Sequence, residues 1–304
     1  MTALKKVVDI SSILELAVKF DLKITDVKSS HVGIENLKSI NDTNPTSLSY
    51  ISNLDYVKAA ANTLQGLVLL PSKLIGTKFS QEISCSYIAL DNPKYFFACI
   101  YNEFSQDFIV PMFYSKAQVE KLFSQKCLYI SDDARIARNV EIGTGAVIHG
   151  NVFLLENTII GSNVVIKPNT TIGGDGFGYA TRTGYPPMKI PHFGGVVIGD
   201  NVDIGSSVNI DRGVFLNTVI SDSVKIDNGV HIAHNVIVGE RSLIIANSEI
   251  SGSVVIGSDV WIAPSVSIRE KLKIGNRAFI GLGSVVTKDV EENAVVFGVP
   301  AKPA

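Results

Sequence analysis

Residues 254–286 read VVIGSDVWIAPSVSIREKLKIGNRAFIGLGSVV, and an aliphatic residue recurs in this stretch at every sixth position. These positions are Ile256, Ile262, Ile268, Ile274, Ile280 and Val286. A period of six fits neither an amphipathic helix nor the alternation of an ordinary strand. It fits a triangular coil of three hexapeptides, in which each short strand turns one aliphatic side chain inward. The stretch therefore predicts a parallel β-helix of hexapeptide repeats.

The same period extends back through most of the second half of the chain. The earlier positions are Ile136, Ile142, Ile148, Leu154, Ile160, Ile166, Ile172, Ile198, Ile204, Ile210, Ile220, Ile226, Ile232, Val238, Ile244 and Ile250. Two segments interrupt it: residues 173–195, GGDGFGYATRTGYPPMKIPHFGG, and a lengthening by four residues between Ile210 and Ile220. We expect the first segment to form a long loop that leaves a corner of the prism. Long loops on rigid scaffolds often carry function.

Glycine often follows the aliphatic residue directly. Examples are Gly143, Gly161, Gly199 and Gly257. Glycine adopts positive φ without steric cost. The pattern therefore predicts that these glycines turn the corners of the prism.

The composition limits the classes of function. The 304 residues carry a formal net charge of −2, and we find no basic cluster of the kind that nucleic-acid binding needs. The longest apolar runs are too short to span a bilayer, and no signal-peptide core is present. The odd, widely spaced cysteines Cys85, Cys99 and Cys127 suggest buried thiols, not a disulfide framework or a metal site. These features predict a cytoplasmic protein with no metal and no permanently bound cofactor.

The first 128 residues lack the six-residue period and predict a small α+β domain. Helical spacing is present at 10–20, with Ser11 or Ser12 as N-cap, and helices are also expected at 56–65, 93–102 and 116–123. Short strands are expected at 48–51, 66–70 and 87–90. We therefore divide the chain into an α+β domain at 1–128, a β-helix at 129–290 with the loop 173–195, and a C-terminal tail at 291–304.

Polar residues inside the repeat concentrate at 227–235, DNGVHIAHN. Ile232 points inward by register, so His234 falls near a corner at the outer surface. It is either a general base that takes a proton from an attacking amine, or a histidine that only stacks between coils. His231 also faces outward and is the weaker candidate. His149 has no clear role from its position.

Two other polar groups lie in the interruptions of the repeat. His192 lies in the long loop, where it either lines a cleft or, as we favour, is solvated. Asp211 and Arg212 are interpreted as an ion pair that closes a corner, with substrate positioning as the alternative.

Four motifs in the second half resemble a known family: GGDGFGY at 173–179, KIP at 189–191, NIDRG at 209–213 and DNGVHIAHN at 227–235. Together they are similar to the UDP-3-O-(3-hydroxyacyl)glucosamine N-acyltransferases of lipid A biosynthesis, and the likeness covers most of the chain. The resemblance implies a left-handed β-helix, homotrimers with active sites between prisms, and His234 as the catalytic base. Asp211, His231 and Asn235 become candidates for substrate contacts.

The first domain carries the resemblance as well, through SYISNLDY at 49–56. By this likeness Tyr50 and Tyr56 would flank a pyrimidine base and Asn53 would hydrogen-bond to it. Aromatic faces stack on bases, and an amide matches the edge of a pyrimidine. Core packing is the alternative role of the two tyrosines.

The chain also departs from the family. Residues 267–274, SIREKLKI, lack the histidine usual in that coil. The family ends in helices that bind acyl carrier protein, whereas this ending, with IGLGSVVTKD at 280–289 and GVPAK at 298–302, resembles coenzyme A-dependent acetyltransferases. By that likeness Lys288 and Lys302 would meet the phosphates of the coenzyme.

The predicted function is N-acyl transfer from an acyl thioester, with acyl-coenzyme A (acyl-CoA) favoured as co-substrate, to the amine of a UDP- or dTDP-linked amino sugar. The first alternative is the lipid A enzyme itself, using acyl carrier protein. The second, from another class, is a non-catalytic trimeric β-helix that serves as a scaffold. The motif Ile-Ala-His-Asn at 232–235 counts against the scaffold.

Overall fold

The structure is a computed structural model and describes residues 3–29, 33–105 and 112–303. The chain forms two compact units. The first consists of Met1–Phe108 and Gly178–Pro191, and the second of Ile109–Phe177 and His192–Ala304. The first unit thus ends earlier than the predicted boundary at residue 128, and it also contains most of the predicted loop.

The first unit is built on one mixed sheet. In spatial order its strands are Ala3–Val8, Ile34–Leu37, Ser47–Tyr50, Leu67–Pro71, Ser86–Leu90 and Ile24–Lys28. The four inner strands run parallel to one another, and each outer strand is antiparallel to the inner strand beside it. Its α-helices are Ile10–Lys19, Lys78–Glu82 and Pro93–Phe104. The α+β character of this unit agrees with the sequence prediction.

The helices of the first unit differ in part from the predicted caps and bounds. Asp9, not Ser11 or Ser12, caps the first helix, because its side chain accepts a hydrogen bond from the Ser12 N–H at 2.8 Å. The helix predicted at 93–102 forms at Pro93–Phe104, with Pro93 in its first turn, where the fixed φ of proline suits a helix. The predicted helix at 56–65 is wrong, because only the short 3₁₀ helices Leu54–Tyr56 and Ala61–Thr63 form there. A third 3₁₀ helix of this unit is Ser72–Leu74.

Residues 178–191 form a hairpin, not an irregular loop. Its strands are Tyr179–Arg182 and Tyr185–Lys189. The helix Pro93–Phe104 holds it at three points. The side chains of Asn92 and Asn102 donate to the carbonyls of Thr181 and Lys189, at 3.1 and 3.0 Å, and the Tyr95 hydroxyl donates to the Pro186 carbonyl at 3.2 Å. These contacts are why the interruption of the repeat belongs to the first unit.

The second unit is a triangular prism of stacked coils, as the six-residue period predicts. A helix at Lys116–Phe123, also predicted, precedes the prism. Each strand pairs in parallel with the equivalent strand of the neighbouring coils. The strands of the first face are Tyr129–Ile130, Val147–Ile148, Val165–Ile166, Asp203–Ile204, Lys225–Ile226, Leu243–Ile244, Trp261–Ile262, Phe279–Ile280 and Val295–Phe297, with Lys302–Pro303 antiparallel at the end.

The strands of the second face are Arg135–Ile136, Phe153–Leu154, Thr171–Asp175, Asn209–Arg212, His231–Ile232, Glu249–Ile250, Ser267–Ile268 and Val285–Val286. The strands of the third face are Glu141–Ile142, Thr158–Ile160, Val196–Ile198, Thr218–Ile220, Ile237–Val238, Val255–Ile256 and Lys273–Ile274. The predicted inward residues form one continuous core that is almost completely buried. Burying each such side chain is worth about 1.5–3 kcal/mol, so the core carries the stability of the prism. Val295–Phe297 stacks on the prism, so the predicted tail continues the β-helix.

The glycines that follow the aliphatic residues do not turn the corners, which corrects the prediction. Gly143, Gly161 and Gly257 lie outside the positive-φ region, but a Cβ atom on each would lie within 2.4–2.6 Å of the next coil. These positions are glycines because the backbones of adjacent coils stack too closely there to leave room for a side chain. Three residues after the aliphatic residue, the corner itself has positive φ, as at Asn151 and Asn163.

Asparagine is common at these positive-φ corners because its short polar side chain tolerates the left-handed conformation. The side chains also stack along the prism. The amide of Asn139 donates to Asn157, eighteen residues later, at 2.8 Å, and Asn151 donates to Asn169 at 2.9 Å. Corner residues therefore fix the backbone turn and join adjacent coils. None of the helices in the described ranges is long and apolar enough to cross a membrane.

Candidate active site

His234 lies at a corner of the prism, two residues after the end of the strand His231–Ile232. Ile232 is buried, as its register predicts, whereas the side chain of His234 is half-buried. The next residue, Asn235, has a φ of 62° and turns the chain toward the third face. The corner therefore presents the imidazole at the outer surface.

Three hydrogen bonds fix Asn235, two of them made by its side chain. Its Nδ2 donates to the Leu216 carbonyl at 3.1 Å, and its Oδ1 accepts from the Val214 N–H at 3.0 Å. Its backbone N–H donates to the Thr218 hydroxyl at 2.9 Å. The four-residue lengthening after Ile210 thus forms a loop that holds the amide in one orientation.

The orientation of Asn235 determines the tautomer of His234. The Nδ1 atom of His234 lies 3.2 Å from Oδ1 of Asn235, which is an acceptor. Nδ1 must therefore carry the hydrogen and donate it, which leaves a lone pair on Nε2 in the neutral ring. A neutral imidazole with a free Nε2 lone pair is the form that removes a proton.

Two glycines make room for the imidazole. A Cβ on Gly176 would lie 2.9 Å from Cδ2 of His234, and a Cβ on Gly252 would lie 2.9 Å from Nε2. Neither glycine was predicted as a site residue. Gly252 lies eighteen residues after His234, the length of one coil, so the repeat itself contains the signal that would have found it.

His192 belongs to the site, although we expected it to be solvated. Only 6% of its surface is exposed, and its ring lies edge-on to that of His234 with 5.3 Å between centroids. Its neighbour Phe193 donates its N–H to the Val214 carbonyl at 2.7 Å, which joins the segment to the loop after Ile210. This contact links segments that are distant in sequence, and no local pattern reveals it.

Asp211 and His231 form a second polar pair. Oδ2 of Asp211 lies 3.7 Å from Nε2 of His231. Burial of the carboxyl group raises the pKa of Asp211 to about 6; His231 opposes this rise, and the nearby Asp175 adds to it. Removing the acid from water disfavours its charged form, so Asp211 titrates much closer to neutrality than an exposed aspartate.

Arg212 does not pair with Asp211, so the predicted ion pair is wrong. Its Nε donates to the Gly173 carbonyl at 2.6 Å, and its guanidinium lies 3.7 Å from Glu156 and 3.8 Å from Asp175. The backbone alternates at this position, so the two side chains leave it in different directions.

In the first unit, the structure describes Tyr50 and Asn53 of the predicted base-binding stretch. The ring of Tyr50 lies 4.9 Å from that of Phe97, and burial raises its pKa to about 12. Asn53 caps the turn that follows: its amide donates to the Asp55 carboxylate at 2.8 Å and accepts from the Asp55 N–H at 3.2 Å. The side chain of Tyr56 lies outside the described part of the structure.

The remaining candidates lie elsewhere on the second unit. Lys288 and Lys302 are both exposed near the end of the prism. His149 packs near Tyr129, with 6.0 Å between ring centroids. In the described ranges, no group of three or more His, Cys, Asp or Glu side chains is arranged to hold a metal ion.

The chain is similar to a known family and to known proteins. The bacterial transferase hexapeptide family (six repeats) matches residues 253–288. A UDP-3-O-acylglucosamine N-acyltransferase from Methylobacterium nodulans is 41% identical over 131 residues, which are 43% of this chain and 37% of the relative. The chain thus spans little more than a third of that relative's length. The enzyme of the same name from Helicobacter pylori strain J99 is 34% identical over 244 residues, covering 74% of this chain and 70% of the relative.

The fold has a counterpart among solved structures. A UDP-N-acetylglucosamine acyltransferase from Bacteroides fragilis superposes with a TM-score of 0.51 and 22% identity, over 58% of this chain and 74% of that one. The prism is thus a left-handed parallel β-helix, which confirms the predicted fold class. Because the Helicobacter pylori relative matches over more than two thirds of its length, the chain belongs to the UDP-3-O-acylglucosamine N-acyltransferase family.

Proposed function

We propose that the protein transfers an acyl group from a thioester to the amine of a UDP-linked 3-O-acylglucosamine, as the names of its relatives describe. The observation that carries this proposal is the hydrogen bond between His234 and Asn235, which leaves Nε2 of His234 able to accept a proton. Family membership supports the identity of the acceptor.

The reaction requires one base. The amine nitrogen attacks the thioester carbon while Nε2 of His234 takes a proton from that nitrogen. A carbon–nitrogen bond forms, the carbon–sulfur bond breaks, and the proton on Nε2 passes to the departing sulfur. Asn235 is a positioning residue in this scheme, because its side chain holds His234 and the loop at Val214.

Asp211 and His231 are proposed to contact the amino sugar. A half-buried carboxylate attracts the ammonium form of the incoming amine, and the buried position of Asp211 strengthens this attraction. In the first unit, Tyr50, Asn53 and Tyr56 are proposed to hold the pyrimidine base. For Asn53 to bind a base, its hydrogen bonds to Asp55 must open.

The donor is proposed to be a thioester of acyl carrier protein. The sequence of the tail favoured acyl-CoA, but membership of the lipid A family supports the carrier protein instead. The exposed positions of Lys288 and Lys302 suit an acidic partner as well as they suit the phosphates of a coenzyme. Cys85, Cys99 and Cys127 are free thiols, which fits the reducing cytoplasm that we propose as the site of action.

We expect turnover of UDP-3-O-acylglucosamine with a hydroxyacyl carrier protein, and much slower turnover with the matching acyl-CoA. The measurement is product formation by purified protein with each donor at equal concentration. Faster reaction with a short acyl-CoA would contradict the donor assignment. No product with either donor would contradict the proposed reaction.

We also propose that the protein is a homotrimer that uses the third face of the prism. Its outward row is aliphatic over five successive coils: Ile159, Val197, Val219, Ile237 and Val255. Ile159, Ile237 and Val255 are 40%, 43% and 38% exposed in the single chain. A continuous apolar row of this kind is typical of a surface that another subunit covers, and closed three-fold symmetry is common in identical subunits.

Replacing Ile237 with glutamate is expected to shift the protein from trimer to monomer, because the contact would bury an unpaired charge. Sedimentation velocity measures the change. Leu243→Glu, on the outward row of the first face, is the matched control and should stay trimeric. A wild-type chain that sediments as a monomer, or an Ile237→Glu variant that remains a trimer, would refute this assignment.

A further inference from the structure

The first unit contains a cavity of about 420 Å³ whose lining does not include Tyr50 or Asn53. The residues that line it are Ser52, Pro71, Ser72, Lys73, Asp91, Asn92, Pro93 and Lys94. Pro71 is the last residue of a strand, and the others lie within four residues after the end of one. The cavity therefore belongs to one edge of the sheet.

The topology explains why these residues meet. Ser47–Tyr50, Leu67–Pro71 and Ser86–Leu90 are adjacent and parallel, so their carboxyl ends lie side by side. Ser52, Ser72 and Asp91 follow these three ends in turn. In open sheets of parallel strands, ligands bind in the crevice outside the carboxyl ends.

The cavity carries more positive than negative charge. Lys73 and Lys94 supply two ammonium groups, and Asp91 supplies the single carboxylate among the lining residues. Asp91 already accepts a hydrogen bond from the Ser72 hydroxyl at 2.8 Å. Lysine ammonium groups bind phosphate as point charges, and serine hydroxyls donate to its oxygens.

One residue of the cavity lining also belongs to the stretch proposed to bind the base. Ser52 lines it, and Ser52 stands between Tyr50 and Asn53. Ser52 thus lies within two residues of both proposed base contacts, and Lys73 follows the strand Leu67–Pro71, which pairs with Tyr50. We propose that this cavity binds the diphosphate of the nucleotide-linked substrate, with Lys73 and Lys94 as its ligands. This inference rests on the proposed function, since it assumes a nucleotide at Tyr50.

The test compares UDP with uridine on the full-length protein, using titration calorimetry for UDP and saturation-transfer NMR for uridine. UDP should bind more tightly than uridine. In the double variant Lys73→Ala, Lys94→Ala, UDP affinity should fall about tenfold, toward that of uridine, while uridine affinity stays the same. Asp91→Asn should have the opposite effect and strengthen UDP binding about two- to fivefold, because it removes a repelling charge.

Lys78→Ala is the matched control, because Lys78 is an exposed lysine of the same unit that pairs with Glu82. It should leave both affinities unchanged, and thermal unfolding confirms that each variant is folded. Equal binding of UDP and uridine, or a double variant with wild-type UDP affinity, would overturn the diphosphate site and leave the base site intact. Absence of binding by both ligands would instead overturn the nucleotide site as a whole.

Discussion

Replacing His234 with glutamine is expected to lower kcat/KM for acyl transfer by about 10²–10⁴-fold, the usual contribution of a general base. The glutamine retains a polar side chain of similar reach, but it cannot take the proton from the amine. The loss should appear mainly in kcat, because Nε2 acts on the reacting nitrogen in the transition state and not on the bound ground state. Steady-state rates at saturating donor, measured over a range of acceptor concentrations, give both constants.

His149→Gln is the matched control for this variant. His149 is also a half-buried histidine of the prism, but it lies on an early coil beside Tyr129. Its substitution should leave the rate near that of the wild type. If His234→Gln retained wild-type activity, the proposed mechanism would be wrong, and a scaffold or another base would have to be considered.

Replacing Gly252 with alanine is expected to lower kcat by about ten- to a hundredfold, because small displacements of a catalytic group are costly. The added Cβ would lie 2.8 Å from Cε1 and 2.9 Å from Nε2 of His234, too close for the imidazole to keep its position. The ring must shift, and its hydrogen bond to Asn235 must lengthen. The expected change is a loss of kcat with little change in the temperature of unfolding.

Gly174→Ala provides the control, because a Cβ at Gly174 would meet no atom within 4 Å. It tests whether any extra methyl group near the long interruption affects the rate. An unaltered kcat in Gly252→Ala would show that the imidazole position in the structure is not the one used in the reaction. A large fall in unfolding temperature would show that the substitution acts on the fold.

The architecture of the second unit is predictable because each inward residue makes the same contact with its counterpart one coil away. Ile226, Ile244 and Ile262 belong to one column, and the period of the sequence is the period of the packing. The position of His234 follows from the same rule. The role of the glycines that follow aliphatic residues could not be predicted from the period, because close stacking and positive φ both favour glycine.

The surroundings of His234 are less predictable, because they come from segments that interrupt the repeat. His192 reaches the site through residues 192–195, and these residues pair with the loop at Gly213 and Val214. Contacts between two irregular segments have no period, so the sequence offers no spacing from which to infer them. The hairpin at 178–191 could not be assigned to the first unit for the same reason.

The stacking of equivalent corners has a consequence for how such a chain can change its length. Each strand from Ile237–Val238 to Trp261–Ile262 pairs only with the strands one coil before and one coil after it, as Val255 does with Ile237 and Lys273. Excising one complete coil beyond Gly252 would bring matching corners and matching columns back together, and the imidazole would keep its neighbours. Length in this prism is therefore counted in whole turns, so evolution can add or delete a turn at the far end as a single module while the chemistry near Asn235 stays unchanged.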